Sequence, residues 1–407
     1  GSGGIGTVPL FGRGASKFEM HLLRDGRWRI ESTFAEEADA LASAKSMLAA
    51  RLAEGVKVVK YRPMPGMLLE TVVFQSLLPK TKNKPLVLAD EGEGAPWCTT
   101  LPDLTGFPAR SVIGRMLRMF LDRHHITTTE LLHGWPYARA LDEQAALLGA
   151  AIHAVARHQS QTSGTPHATR ARELRILADA AVARARDGAA VLRRLPAFNP
   201  AQPGESLDRL ERSGEGADAA FLFLVQVTDH MTGMPSLAGR LETLTAMMER
   251  CTAHLPGPLI EGAMADALES AEVVKDILGH QPHLAGGLAA LADALTGRPP
   301  GPKDVLPTDL LRRISAMIHS GLAPTCRVVL VERLRSAIGG ERPFDPREPK
   351  QEPALLDQLI LHLKDENGEL LGGAALDEPI AHRRIRQRQA ILRAEGINEV
   401  ADRQQRR

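Results

Sequence analysis

The chain has 407 residues, 43% of them hydrophobic and 4% aromatic, with 50 basic residues against 49 acidic ones and a net charge of +1. That length exceeds one ordinary core and that apolar fraction belongs to a folded chain, so wholesale disorder is excluded and two or three domains are expected. A near-neutral total supplies no global field for capturing nucleic acid or an acidic membrane, so either role would need a local patch.

Abundant Ala and Leu favour helix, and few β-branched runs compete with them. A mainly α chain is therefore expected, not an all-β or doubly wound parallel fold. Cys98, Cys251 and Cys326 are far apart and odd in number, which argues against a disulfide framework and fits a reducing, cytoplasmic setting. No apolar run reaches the roughly 20 residues of a membrane span. The opening GSGGIG has no signal or transit character, and residues 1–16 are expected to form a flexible arm.

Residues 17–78 read as a small α+β module. KFEMHLLRDGRWRIESTF suggests two strands joined at Asp25-Gly26, a dipeptide whose residues accept the positive φ of a tight hairpin. Phe18, Met20, Trp28 and Ile30 are expected on its apolar face. EEADALASAKSMLAARLAEG has helical spacing, with Leu41 and Leu48 packing onto that face and Gly55 as the helix stop. VKVVKYR and LLETVVFQS read as two further strands, giving the order β-β-α-β-β.

Residues 79–100, rich in Pro, Gly, Lys and Glu, read as a linker, and from Leu101 the pattern is helical. Residues 101–198 are expected to form a first helical domain. SVIGRMLRMFLDRHH places Val112, Met116, Met119 and Phe120 on one face, and Thr127 with Glu130 makes a capping box. DEQAALLGAAIHAVARHQSQ is a further amphipathic helix, and ATRARELRILADAAVARARDGAAVLRRL continues for roughly seven turns. The break at 199–216 is expected as the main linker, ahead of a second helical domain at 217–345. Within it, alanine-rich helices over 217–250 are expected to leave apolar surface for a homo-oligomer. Residues 346–407 read as a C-terminal helical hairpin with an arginine-rich tail. No period of a regular solenoid emerges, and an irregular α-array is the alternative architecture.

Chemical motifs are sparse. His124, His125 and His133 surround one helix-turn-helix junction, but no cysteine or acid completes a zinc set, and a solvated helix end is the favoured reading. His280 and His283 flank Pro282, which removes them from one helical face, and His153 and His158 miss the i, i+4 spacing of a ligand pair. Nucleophile signatures are absent. Cys98, beside Trp97 in a loop, is the one cysteine read as exposed, while Cys251 and Cys326 read as small buried hydrophobes. GRGAS at 12–16 lacks the spacing of a phosphate loop, and Gly92 and Gly94 sit among acids.

The tail HRRIRQRQAILRAEG gathers Arg383, Arg384, Arg386, Arg388 and Arg393, and Arg403, Arg406 and Arg407 follow. Such a cluster can hold phosphates, but without interleaved aromatics a solvated helix paired with acids elsewhere is favoured. Arg383, Arg384, Arg386 and Arg388, with Ile385, Ile391 and Leu392 on one flank, are the expected partner-binding residues.

The segments FEMHLLRDGRW, EEADALASAKSML and VKVVKYR, with RMLRMFLDRHHITTTELLHGW after them, resemble the front of a group of uncharacterised bacterial proteins that carry a small α/β module ahead of a helical body. The resemblance spans about the first 160 residues. It implies a bacterial cytosolic setting and no activity.

Together these readings favour a non-enzymatic protein–protein interaction role, as a regulatory, adaptor or assembly component. No catalytic, metal or cofactor residue is assigned. A protein partner and a homo-oligomer are expected. Nucleic-acid binding through the tail is the second reading, and an enzyme whose site assembles from distant residues is the third.

Overall fold

A computed structural model describes residues 17–24, 27–49, 55–64, 67–77, 85–214, 216–234, 236–252, 254–298 and 308–390. The chain divides into two compact units, Gly1–Pro85 and Leu86–Arg407. It is a mainly α chain with a small N-terminal α+β module, the architecture that the resemblance implied.

The first unit runs β1 (Lys17–Arg24), β2 (Arg27–Phe34), α1 (Glu37–Ala49), β3 (Gly55–Met64) and β4 (Met67–Leu77). All neighbours are antiparallel, in the order β2-β1-β3-β4. Phe18, Met20 and Leu22 alternate along β1 and are buried with Val56 and Val58 of β3. Ala40 and Ala44, one turn apart on α1, complete that core, and their small side chains let the helix approach the sheet closely. Leu41 packs at the edge of the same cluster. Leu48's side chain lies outside the described residues, as do Asp25 and Gly26, although Arg24 pairs with Arg27 on either side of them.

Ile30 and Trp28 depart from the expected apolar face. The β1–β2 register steps from Met20 opposite Ser32 to His21 opposite Ile30, a β-bulge. A bulge inserts one residue, so the alternation of side chains reverses beyond it. Ile30 therefore lies on the face away from α1 and is 59% exposed. Trp28 follows it, opposite Leu23, half-buried with the Lys57 ammonium 5.0 Å from its ring centroid. Gly55 is not a helix stop but the first residue of β3, where a Cβ would come within 2.6 Å of Leu77 Cδ2.

The second unit is helical. Its first part holds α2 (Leu101–Thr105), α3 (Phe107–Met116), α4 (Arg118–His124), α5 (Thr128–His133), α6 (Trp135–Asp142), α7 (Ala145–Ser163) and α8 (His167–Val191). The helix expected over 111–125 breaks at Leu117, and Val112, Met116 and Phe120 are buried on either side of the break while Met119 is half-buried. α7 and α8 pack as a hairpin, with α5 and α6 laid across α8. Next come α9 (Pro203–Glu211), α10 (Ala219–Thr232), α11 (Leu237–Met248), α12 (Gly257–Leu268) and α13 (Ala271–Leu278). They are followed by α14 (Leu284–Thr296), α15 (Asp309–His319), α16 (Pro324–Gly339) and α17 (Glu352–Leu363), then by α18 over 377–390.

Residues 199–216, expected as a linker, hold α9, whose Leu207 and Leu210 sit three apart and enter the core. One continuous buried cluster runs from Leu207 to Ile380, so α17 and α18 belong to the same body as α10 to α16. α10 is buried continuously from Phe221 to Thr228, a stretch apolar on all sides apart from Gln226 and Thr228, while Asp229 and His230 at its end are exposed. The apolar surface expected at 217–250 is thus covered within the chain, which removes that segment as a reason for self-association. No single helix among the described residues is long and apolar enough to cross a membrane.

Met20 and Ile30 provide a direct check on the reversed register. Met20→Ala should cost about 2–5 kcal/mol and Ile30→Ala under about 0.5 kcal/mol in urea titrations. Equal losses would return Ile30 to the core.

Candidate functional site

Buried charges tie the helices of the second unit together. Arg110 of α3 donates from Nε to both carboxylate oxygens of Asp266 on α12, at 3.3 and 3.0 Å, and from Nη1 to the Thr105 carbonyl. The Thr129 hydroxyl of α5 donates to Asp266 Oδ2 at 2.6 Å. One turn further along, Arg118 Nη2 lies 3.3 Å from Glu269 Oε2. Glu130 closes the expected capping box, its Oε2 accepting from Thr127 N at 2.8 Å, and its Oε1 pairs with Arg240 Nη1 of α11 at 2.5 Å. Two glycines make the room: a Cβ at Gly114 would fall 2.2 Å from Glu269 Oε2, and one at Gly262 would fall 2.7 Å from Arg110 Nη2.

Desolvation decides the proton affinities here. Burial raises Glu269 to about 7, the Asp266 carboxylate adds to the effect, and Ser111 and Arg118 only partly offset it. Glu130 is also raised by burial, against Arg240 and Thr127. Both oxygens of Asp266 and of Glu130 are engaged by protein donors, so the cluster acts as a weld between helices and offers a substrate no free carboxylate oxygen at either residue.

The sequence-chosen histidines and cysteines do not converge. His133 is buried, not part of a solvated helix end; its Nδ1–H donates to the Thr129 carbonyl at 2.8 Å, and burial lowers its pKa to about 4. His124 packs on the Phe120 ring, and His125 caps α4 in the left-handed region at φ 50°. His283 Nδ1 accepts from Gly286 N and caps α14, while His153 stacks on His167. Among the described residues no group of three or more His, Cys, Asp or Glu is placed to hold a metal ion. Cys98 is buried rather than exposed, and burial pushes its thiol up. Cys326 is buried and raised further, its backbone N–H donating to Glu261 at 2.7 Å, whereas Cys251 is half-buried.

Arg383, the first of the tail arginines, is buried. Its guanidinium lies 3.6 Å from the Phe344 ring centroid, pairs with Glu352 at 2.6 Å, and donates to the carbonyls of Ala337, Ile338, Gly340 and Arg342. It thereby satisfies the open C-terminal end of α16, where carbonyls lack helical partners. Arg386 donates to Gly339 and Gly340, and Arg384 pairs with Asp357 at 2.9 Å. Arg388 is exposed and Ile385 is 51% exposed. Ile391, Leu392, Arg393, Arg403, Arg406 and Arg407 lie outside the described residues.

Two further features hold apolar groups without covering them fully. Residues 86–100, expected as a linker, form a strap across the α3–α8 bundle. Ala89 N donates to the Met116 carbonyl, and Gln159 Nε2 of α7 donates to the carbonyls of Ala95 and Pro96. Arg170 of α8, fully buried, donates to the Cys98 carbonyl and to Gln159 Oε1, and its guanidinium lies 4.0 Å from the Trp97 ring centroid. Beneath the strap is a cavity of about 140 Å³ with an apolar lining. The second feature is the face of the sheet away from α1, on which Glu19 and Val59 are buried and the outer strands carry exposed apolar groups. Trp28, Leu23, Gly55 and Leu77 form one cross-strand row, Ile30, His21, Lys57 and Gln75 the next, and Thr33, Glu19, Val59 and Val72 a third. Ile30, Val72 and Leu77 are each at least half exposed.

None of the welding residues was singled out in the sequence except Glu130, through its capping box. Arg110 and Asp266 are 156 positions apart, and Arg170 and Cys98 are 72 apart. The glycines at 114 and 262, each inside a helix, were the available signal, because a helical glycine needs a packing reason.

Two measurements test these assignments. A carboxyl at about 7 when folded, against an ordinary 4.5, binds its proton more tightly in the folded chain. Its stabilising contribution is complete below the unfolded value and is lost as pH rises through the folded one. Relative to Glu269→Gln, the unsubstituted chain should lose about 2–3 kcal/mol between about pH 5 and about pH 8 in urea titrations. A pH-independent difference would refute the shift. Arg383→Ala should cost about 2–5 kcal/mol, because Glu352 and the α16 carbonyls lose their partner, whereas Arg388→Ala should change stability by under about 0.5 kcal/mol. Similar small effects at both positions would show that Arg383 is dispensable to the fold.

Compared with protein-family models, curated proteins and solved structures, the chain matches none.

Proposed function

We propose that the chain is a non-enzymatic interaction protein, a regulatory or assembly component, which docks through the outer face of its N-terminal sheet onto a second copy of itself. The observation that carries this reading is the exposed apolar set Ile30, Val72 and Leu77 on the face away from α1. An antiparallel sheet with one solvated face ordinarily alternates apolar in and polar out, so exposed apolar side chains on both outer strands, with Trp28 and Leu23 half-buried in the Leu77 row, depart from that pattern.

A second copy is the occupant because the face carries both signs of charge. Lys17 and Lys57 stand among Glu19 and Glu70 on it, with Lys17 Nζ 2.7 Å from Glu19 Oε1. A two-fold axis can place each sign opposite its complement, as an isologous interface requires. Two such sheets would pack face to face at about 10 Å. The bacterial, cytoplasmic setting in which this would operate rests on the resemblance and on three free thiols.

Other readings find less support. Arg383 and Arg386 spend guanidinium N–H groups on backbone carbonyls, which leaves the described tail fewer cations for phosphate. The buried carboxylates Asp266 and Glu130 are engaged by protein donors, which weighs against an enzyme built on them.

Light scattering on the full chain at micromolar concentration should give a dimer, and the double substitution Ile30→Asp with Val72→Asp should give a monomer with unchanged helical circular dichroism. A monomeric unsubstituted chain, or a dimer untouched by the substitutions, would overturn this choice of surface.

A further inference from the structure

We infer that the cavity under the strap is a binding site for a small, neutral, apolar molecule, of about the size of one hydrocarbon ring or a short branched chain. The site belongs wholly to the second unit. Its walls come from α3, α5, α6, α7 and α8, and Ala95, Pro96 and Cys98 of the strap form its cover.

Volume sets the size of the ligand. Interiors ordinarily pack with few voids larger than a water molecule, so about 140 Å³ of open space is a departure. An apolar cavity of about 150 Å³ lined by aliphatic side chains stays dry and accepts benzene. The walls here are Leu, Ile, Val, Met and Ala, with Leu117, Leu131, Leu141 and Leu148 among the buried ones. A water needs two to four polar partners, and the lining side chains offer only the Cys98 thiol, which already faces the Pro96 carbonyl at 3.6 Å.

Charge excludes the commonest apolar ligands, those with a carboxylate head. Among the described residues no cation lines the cavity, and the guanidinium of Arg170, which reaches the Cys98 carbonyl, is spent on Gln159, Glu173, that carbonyl and the Trp97 ring. An anion inside would be desolvated with no partner, which costs far more than the apolar contacts return. A fatty acid therefore does not fit, whereas an arene or a short hydrocarbon does.

The strap supplies the route in. Its first part is tied to α3 through Ala89 and Glu93, while residues 95–98 are held by side chains reaching from α7 and α8 to their carbonyls, and not by a continuous ladder. Lifting residues 95–98 breaks three such hydrogen bonds and opens the bundle, with the helices that form the walls left in place.

Thermal unfolding of the full chain with benzene as the probe tests the site, with benzoate as the charged control. Benzene at saturating millimolar concentration should raise the midpoint by about 2–4 °C, and benzoate should not. Ala178→Leu, which places a larger side chain in the cavity wall, should abolish the benzene shift. As a readout that does not depend on that variant, crystals held under xenon gas should show the atom among Leu117, Leu131 and Leu148. No benzene shift, an equal benzoate shift, an undiminished shift in Ala178→Leu, or xenon only at other positions would each overturn the inference. None of these outcomes depends on whether the chain dimerises.

Discussion

The second unit depends on the requirement that buried charge be paired. Arg110, Thr129 and Asp266 bring α3, α5 and α12 to one point, and Glu130 with Arg240 adds α11. Removing either partner of such a pair strands a charge in a medium that cannot solvate it, so the geometry is fixed far more tightly than by apolar packing alone. Gly114 and Gly262 belong to the same constraint, because any side chain there would occupy the space of a charged group. The weld also involves two walls of the cavity. α3 and α5 line it, and Arg110 and Thr129 of the same two helices are tied to Asp266 of α12. Those contacts fix α3 and α5 to α12 independently of how the cavity is packed.

Arginine recurs as a clamp for backbone. Arg383 gathers the carbonyls at the end of α16, Arg170 fixes the strap, and Arg240 donates to the carbonyls of His125 and Met234. A planar guanidinium with five N–H groups can serve several carbonyls at once, which a lysine cannot do with the same geometry. In a chain with 49 acidic residues against 50 basic ones, part of the cation content is thus structural, and net charge overstates what is available to bind anions.

Local patterning made most of the fold legible. Strand alternation, helical spacing and the Thr127–Glu130 capping box each arise from neighbours within a few residues, and all four strands, α1 and the long helices follow from them. What stayed hidden was set at long range. Residues 199–216 read as a break from their Pro, Gly and Glu, although Leu207 and Leu210 at helical spacing pointed to a buried face. Cys98 looked exposed because its own surroundings are a loop, and its cover comes from contacts with helices far along the chain. Arg383 was expected at a partner-binding surface because a run of arginines carries no sign of which one faces a helix end.

The bulge in β2 reconciles two demands that differ by one residue. Arg24 opposite Arg27 and Leu23 opposite Trp28 set the phase of one end of the hairpin, while Phe34 opposite Phe18 and Ser32 opposite Met20 set the phase of the other. Glu31 takes up the difference. A chain lacking Glu31 would keep every one of those cross-strand partners and simply run as a regular ladder. Position 31 is therefore a place where length can vary by one residue without repacking the core, and where the tilt of the Trp28–Ile30 arm can be adjusted independently of what lies beneath α1.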